Sequence, residues 1–333
     1  MINPRLFQQY NINTQKDLGI RKVCPRPRDT ILIDKQGSCY ACECTSWLPQ
    51  SIGNLQIKPL AEIIGSAMHQ HLQSSVDDGS YRYCNEHQCS YIKSGAVLHG
   101  QPDRIQHLRL AIDDSCNLRC PSCRKGMIFH KEGSAYNLGI KLADRVNDWL
   151  HSYDSPIQVH IGSDGDPFAS HIYRHFMEKT PVRDNISYSI LTNGLMLREF
   201  HQRIPHIIGN LDTLGISIDG ATQSTYERLR LGGNWHKVTD ALECAKALKN
   251  AHGFKFQLHM VVQQDNWREM ELMDALGRKY QADRVFYNAI EDWNTGIDMS
   301  SQTFQKDDEF KTMVKRLSES PIASLWNLPI SVS

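Results

Sequence analysis

The chain has 333 residues, 40% of them hydrophobic and 22% charged; it can bury a large core, and it is neither disordered nor membrane-embedded. Lysine plus arginine and aspartate plus glutamate each count 37, so no global field draws in nucleic acid or anionic lipid, and neither is expected as a partner. No run of about 20 apolar residues offers a membrane span, and the opening MINPRLFQQYNINTQKDLGIRK has no apolar signal core.

The ten cysteines are unevenly placed: nine precede residue 124 and only Cys244 follows. Tight clustering in a long chain favours metal or cluster binding in a reducing compartment over a disulfide framework. A cytoplasmic location is the expectation.

In chain order, Ile31 to Ile33 reads as a short strand, Lys35-Gln36-Gly37 as a turn, and Cys39 to Cys42 as a returning strand. Pro49 and Gly53-Asn54 mark further turns. Leu60, Ile63, Ile64, Ala67 and Met68 recur on one face and predict a helix from Pro59 to about His71. A polar loop then leads to YRYCNEHQCSYI, with Cys84 and Cys89. A hairpin-plus-helix unit of this size has a thin core, and bound metal would contribute much of its folding energy. Six cysteines, Cys24, Cys39, Cys42, Cys44, Cys84 and Cys89, compete for four ligand places. Alternation on an extended strand puts Cys42 and Cys44 on one face and Cys39 on the other. The spares, Cys39 and Cys44, are buried apolar residues, a substitute ligand, or a hydrogen-atom donor facing substrate. A zinc knuckle is the rival for the whole unit.

Leu108, Leu110 and Ile112 alternate along a strand that feeds a loop with Cys116, Cys120 and Cys123. Thiolates are soft ligands that suit zinc or iron–sulfur iron. A structural zinc site takes four protein ligands; this run supplies three and leaves one position of a cubane open. Beyond it, strands are predicted at Ile157 to Ile161, Ser187 to Thr192, Thr213 to Ile218, Lys255 to Val262 and Arg284 to Ala289. Helices are predicted at Leu138 to Leu150, Trp235 to Asn250 and near Trp267 to Tyr280. Six parallel strands with crossover helices point to an open partial barrel, with functional residues at the C-terminal strand ends.

The run CNLRCPSC, just past a first strand, resembles the cluster motif of radical S-adenosylmethionine (SAM) enzymes. The resemblance implies an α/β fold, a partial (β/α)6 TIM barrel over residues 104–333. It implies a [4Fe–4S] cluster on Cys116, Cys120 and Cys123, with SAM chelating the fourth iron and cleaved reductively to a 5'-deoxyadenosyl radical. The segment GSDGDPF is similar to the family's Gly-Gly-Glu-Pro-type motif, which places Gly165 and Asp166 at the methionine ammonium, Asp166 with a shorter reach than Glu. Asn193, in LTNG, becomes a candidate for a ribose or carboxylate contact. The strand ending GISIDGA brings Ser217 and Asp219 to the rim. TYERLRLGG resembles the segment whose arginine pairs with the SAM carboxylate: Arg228 and Arg230 both qualify, and Gly232-Gly233 favour Arg230. Val261 or Val262 would pack against adenine. Gln263, Asn266, Tyr287, Asn288, Glu291, Asp292 and Trp293 follow at later strand ends.

Residues 1–103 resemble the auxiliary-cluster domains called SPASM or twitch, through Cys24, Gly37, Cys42 and the Gly53-Asn54 pair. That resemblance implies a small N-terminal cysteine-rich β-hairpin/helix domain in which Cys24, Cys42, Cys84 and Cys89 hold one auxiliary [4Fe–4S] cluster. Here the domain precedes the barrel instead of following it. The implied activity is radical modification of a ribosomally made peptide by cross-linking, oxidation or epimerisation. The alternatives are radical chemistry on a small molecule, or a non-catalytic zinc or iron–sulfur scaffold. A low-potential electron donor such as flavodoxin or ferredoxin is an implied partner.

Overall fold

Alternating apolar and polar residues mark the strands of the computed structural model, which describes residues 24–43, 45, 48–85, 89, 102–162, 164–290, 297–298, 300–304, 307–326 and 328. Cys44, Glu291, Asp292 and Trp293 lie outside the described residues. The chain divides into two units: Met1–Asp113 with Glu132–His160 and Lys179–Ile186, and Asp114–Lys131 with Ile161–Glu178 and Ser187–Ser333.

In the first unit the strands are β1 (Thr30–Asp34), β2 (Ser38–Tyr40), β3 (Ser51–Asn54), β4 (His107–Ala111) and β5 (Ile157–Ile161), in the order β5-β4-β1-β2-β3. β1 pairs antiparallel with β2, the expected hairpin, and its other edge pairs parallel with β4. Ile31 sits opposite Leu108 and Ile33 opposite Leu110, and all four are fully buried. Residues on both sides of the 103/104 boundary thus share one sheet. The helices are α1 (Arg26–Asp29), α2 (Leu60–Ile63), α3 (Ala67–Asp77) and α4 (Gly133–Ser152). The helix expected from Pro59 to His71 is two helices. Gly65, at φ +80°, takes a left-handed turn that a side chain would resist, and Ser66 Oγ then caps α3 by accepting from His69 N. β2 ends at Tyr40, so strand alternation does not reach Cys42, which lies in a bend.

In the second unit β6 (Ile186–Thr192), β7 (Leu211–Ser217), β8 (Lys255–Val262), β9 (Arg284–Ala289) and β10 (Ala323–Trp326) run parallel in that order. β10 extends the expected set; its four residues, ASLW, are too short a run to show a period. The helices are α5 (His171–Lys179), α6 (Leu197–Phe200), α7 (Pro205–Gly209), α8 (Gln223–Leu229), α9 (Trp235–His252), α10 (Met270–Lys279) and α11 (Asp308–Ser318). The helix expected near Trp267 to Tyr280 opens as a 3-10 turn, Trp267–Glu269, before α10. Thr222, Asn234 and Asp307 cap α8, α9 and α11 with side-chain oxygens.

β8 shows how the sheet sorts its faces. Phe256, Leu258, Met260 and Val262 are buried on one side, while Gln257, His259 and Val261 on the other stay partly accessible. The strand–helix repetition is that of a partial (β/α) barrel with mixed sheet topology and an N-terminal cysteine-rich region. Among the described residues no helix is long and apolar enough to cross a membrane.

Candidate active site

The cysteine triplet leaves β4 on a loop held by its backbone. Cys116 N donates to Ile128 O at 2.8 Å, Arg119 N to Leu231 O at 3.0 Å, and Cys123 N to Cys120 O at 2.9 Å. Cys116 and Cys120 are buried and Cys123 is exposed. Burial pushes the Cys120 thiol up to about 11, with Arg230 opposing and Asp219, Cys116 and Cys123 adding to the rise. Burial also raises Cys116, followed by the charge of Asp166.

Two donors reach the sulfurs. Asn193 Nδ2 donates to Asn117 Oδ1 at 2.7 Å and lies 3.8 Å from Cys116 Sγ, while its Oδ1 accepts from Leu195 N at 3.0 Å. Arg124 spreads its guanidinium over three acceptors: Cys123 Sγ at 3.4 Å, Asp114 O at 2.7 Å and Asp164 O at 2.6 Å. In the sequence, Arg124 is marked only by its place immediately after the third cysteine. Asp114 itself pairs with His130, Oδ1 to Nε2 at 2.7 Å.

Gly165 is a glycine because the chain crosses closely here: a Cβ would strike Ser115 O and lie 2.9 Å from the Asp114 carbonyl carbon. The next residue, Asp166, donates N–H to Ser115 O at 2.8 Å. Its buried carboxylate accepts four hydrogen bonds from the chain itself. Oδ2 takes Thr192 Oγ1 and Asn193 N, both at 2.7 Å, and Oδ1 takes Phe168 N at 3.1 Å and Ala169 N at 3.0 Å. Burial raises the Asp166 pKa against the pull of these donors. The carboxylate therefore fastens the GSDGDPF loop to the end of β6, and what this loop offers a ligand is backbone.

Asp219 and Arg230 meet at 2.7 Å, Oδ2 to Nε, an ionic contact more than a directed hydrogen bond. Asp219 Oδ1 accepts from Val261 N at 2.9 Å. Burial opposes the Arg230 charge, and Asp219 with the Cys120 sulfur outweighs it, so the pKa is raised and the side chain stays cationic. Arg228 points away; it is exposed and contacts Asp265, Nη2 to O at 3.1 Å. Ser217 ends β7, half-buried. Asn266 works as a staple, donating to Asp219 O and Val261 O, each at 2.8 Å. Tyr287 is a core residue whose hydroxyl donates to Met270 O at 2.9 Å, not a group facing outward at the strand end.

Three further residues of this neighbourhood were not singled out in the sequence. Tyr226 is fully buried, its hydroxyl has no hydrogen-bond partner among the described residues, and it feels the charges of Arg230 and Cys120. Glu269 gathers Ala221 N, Thr222 Oγ1 and Thr225 Oγ1 at 2.7, 2.8 and 2.5 Å, fixing the start of α8. His259 stacks on Phe286, with ring centroids 4.9 Å apart. No local spacing marks any of them; each acquires its role from a neighbouring strand or helix.

In the first unit, Cys84 is raised by burial and then by the charges of Cys42, Cys24 and Cys89, so these four thiols share one electrostatic neighbourhood. Burial pushes Cys24 up to about 11, and Cys89 adds to the rise. Cys39 stands apart: fully buried, pushed up to about 12 by burial and by Asp34, with its thiol 3.7 Å from Gly37 O.

Among known proteins, the GTP 3',8-cyclase of Lactiplantibacillus plantarum is 27% identical over 169 residues, covering 50% of this chain and 48% of that protein. The chain thus spans about half the length of the curated relatives it matches. A solved structure described as native anSMEcpe with bound AdoMet and Cp18Cys peptide is 17% identical, covers 66% of this chain and 62% of its own, and has a TM-score of 0.45. Streptococcus suis SuiB bound to S-adenosylmethionine is 11% identical, with coverages of 81% and 60% and a TM-score of 0.46. Residues 112–276 match the family model described as the Radical SAM superfamily, and the cysteine triplet lies near the start of this matched segment.

Proposed function

We propose that the protein is a radical SAM enzyme whose iron–sulfur site is held by Cys116, Cys120 and Cys123. The observation that carries the reading is the convergence of three thiols on one loop with the Asp219–Arg230 pair beside Cys120. The donor set fits the group. Three soft sulfurs suit iron, Asn193 and Arg124 donate toward two of them, and the buried Tyr226 hydroxyl has no partner among the described residues. When bound, a [4Fe–4S] cluster with SAM supplies reductive cleavage to a 5'-deoxyadenosyl radical and hydrogen abstraction from substrate.

The chain's own residues bind and orient. Arg230, cationic and held by Asp219, is placed to meet a carboxylate, for which its fork is suited. Asn193 orders the Cys116 side of the loop, and Arg124 clamps the Cys123 side. Gly165 lets backbone groups approach an ammonium. Val261, half-buried on the partly accessible face of β8, offers an apolar wall for adenine; Ser217 and Asp219 line the adjacent rim.

Cys24, Cys42, Cys84 and Cys89 are the ligand set for one auxiliary [4Fe–4S] cluster within residues 1–103, with Cys39, and Cys44 beyond the described residues, left as spares. Four protein thiolates around a second redox centre suit one-electron oxidation of a substrate. On that ground we favour a ribosomally made peptide as substrate, cross-linked, oxidised or epimerised. A second reading is a nucleotide, because the matched relative is named a GTP 3',8-cyclase. A reducing cytoplasm suits thiolate-held iron. Anaerobically reconstituted, reduced protein should release 5'-deoxyadenosine from SAM, and consumption of added GTP should separate the nucleotide reading from the peptide one.

A further inference from the structure

Where α8 ends, the chain turns tightly over the Tyr226 ring. Arg230 N donates to Tyr226 O at 2.8 Å and Gly233 N to Arg230 O at 2.7 Å. A Cβ on Gly233 would lie 3.0 Å from the Tyr226 hydroxyl and 2.9 Å from Cε1. The same turn is tied to the cysteine loop, since Arg119 N donates to Leu231 O at 3.0 Å. The phenol therefore sits under a turn that is hydrogen-bonded to the residue before Cys120.

Tyr226 is fully buried, so bulk water does not take its proton, and its hydroxyl has no hydrogen-bond partner among the described residues. Burying a hydroxyl without an acceptor is costly, and phenylalanine would fill the same space without that cost. The charged groups around the phenol are Arg230, Cys120, Asp219 and Glu227. Arg230 can only donate. Asp219 is engaged by Val261 N and by Arg230, and Glu227 by Trp235 N and Gln223 Nε2. That leaves the thiol side of the site, where the Cys120 sulfur does not itself accept the proton.

We propose that the Tyr226 hydroxyl donates a hydrogen bond to a sulfide of the iron–sulfur cluster on the Cys120 side, and so raises the potential at which that cluster accepts an electron. The inference rests on the proposed ligation by Cys116, Cys120 and Cys123. Hydrogen bonds to sulfur are one of the levers on iron–sulfur potentials. A donor there stabilises the more negative, reduced cluster over the oxidised one. The phenolic proton stays on its oxygen, and no covalent bond forms or breaks.

The test compares Tyr226→Phe with the wild type in the full, anaerobically reconstituted chain, first without SAM. Tyr287→Phe is the control, a buried tyrosine whose hydroxyl is spent on Met270 O. A redox titration follows, by electron paramagnetic resonance, the reduced-cluster signal that Cys120→Ala removes. At a fixed potential Tyr226→Phe should lower the reduced-to-oxidised ratio about tenfold, a downward shift of about 59 mV. Iron and sulfide content should match the wild type, and Tyr287→Phe should keep the wild-type potential. One exchangeable-proton coupling of the reduced wild-type cluster should also be missing in Tyr226→Phe. An unmoved potential with an unchanged set of couplings would overturn the proposal. So would a shift that appears only after SAM is added, which would assign the proton to SAM. If the wild type holds zinc, or iron without labile sulfide, the cluster reading and this proposal fall together. An intact cluster that ignores Tyr226→Phe sinks the proposal alone.

Discussion

Asp219 and Arg230 form a buried ion pair, Oδ2 to Nε at 2.7 Å, where β7 runs out and α8 ends. The pair lies beside Cys120, whose thiol feels both charges. Removing one partner of a buried pair leaves the other uncompensated, which costs about 3 kcal/mol or more. Asp219→Asn should therefore lower unfolding stability by about 3 kcal/mol in a denaturant titration. Arg228→Ala, on the exposed side of the same helix, should change it by no more than about 0.5 kcal/mol. Equal effects would contradict the separate roles assigned to the two arginines.

Asp166 makes a second, independent prediction. With four donors converging on its carboxylate, Asp166→Asn turns an NH2 toward groups that must donate and strands at least one buried N–H. The expected cost is about 2 kcal/mol. The entry to the cysteine loop, bonded to Asp166 N through Ser115 O, should loosen with it, seen as faster amide exchange at Ser115 and Asn193. Unchanged exchange would mean that the carboxylate does not hold the loop.

His259 predicts a pH dependence. Burial, with Arg230 adding to it, pushes its pKa from 6.5 down to about 4, and Gly215 leaves the room, since a Cβ there would lie 3.0 Å from Nε2. Between these two values the unfolded chain binds a proton that the folded chain refuses. This residue therefore makes stability rise with pH across that window and fall as acid is added. His259→Phe should flatten the slope, measured as denaturation midpoints between about pH 4.5 and 6.5. Identical slopes would refute the neutral imidazole of depressed pKa.

The Arg124 clamp bears on the metal site. Arg124→Ala removes donors from two loop carbonyls and a sulfur, so the reconstituted protein should lose iron faster to a chelator. Arg124→Lys, with a single point charge in place of a fork, should restore only part of the retention. Retention equal to wild type in the alanine variant would show that the loop needs no such clamp.

Much of this was written in local pattern. The period-2 alternation of KFQLHMVV and RVFYNA gave β8 and β9 their observed bounds, and the spacing of Cys116, Cys120 and Cys123 marked the loop. What stayed hidden depends on partners distant in sequence. Arg124 reaches Asp164 across forty residues, Asp166 reaches Thr192 and Asn193, and β1 finds β4 through buried isoleucines whose partners no local spacing identifies. Tyr287 reads as a rim aromatic in sequence, yet its hydroxyl is consumed by Met270 O in the core. Cys42 escaped the alternation rule because the strand stops two residues short of it.

The most direct measurement is SAM turnover by anaerobically reconstituted, dithionite-reduced protein, with the Cys120→Ala variant as its control. The account predicts 5'-deoxyadenosine from the wild type and none from the variant. Zinc bound at the triplet, with no 5'-deoxyadenosine from either protein, would contradict it.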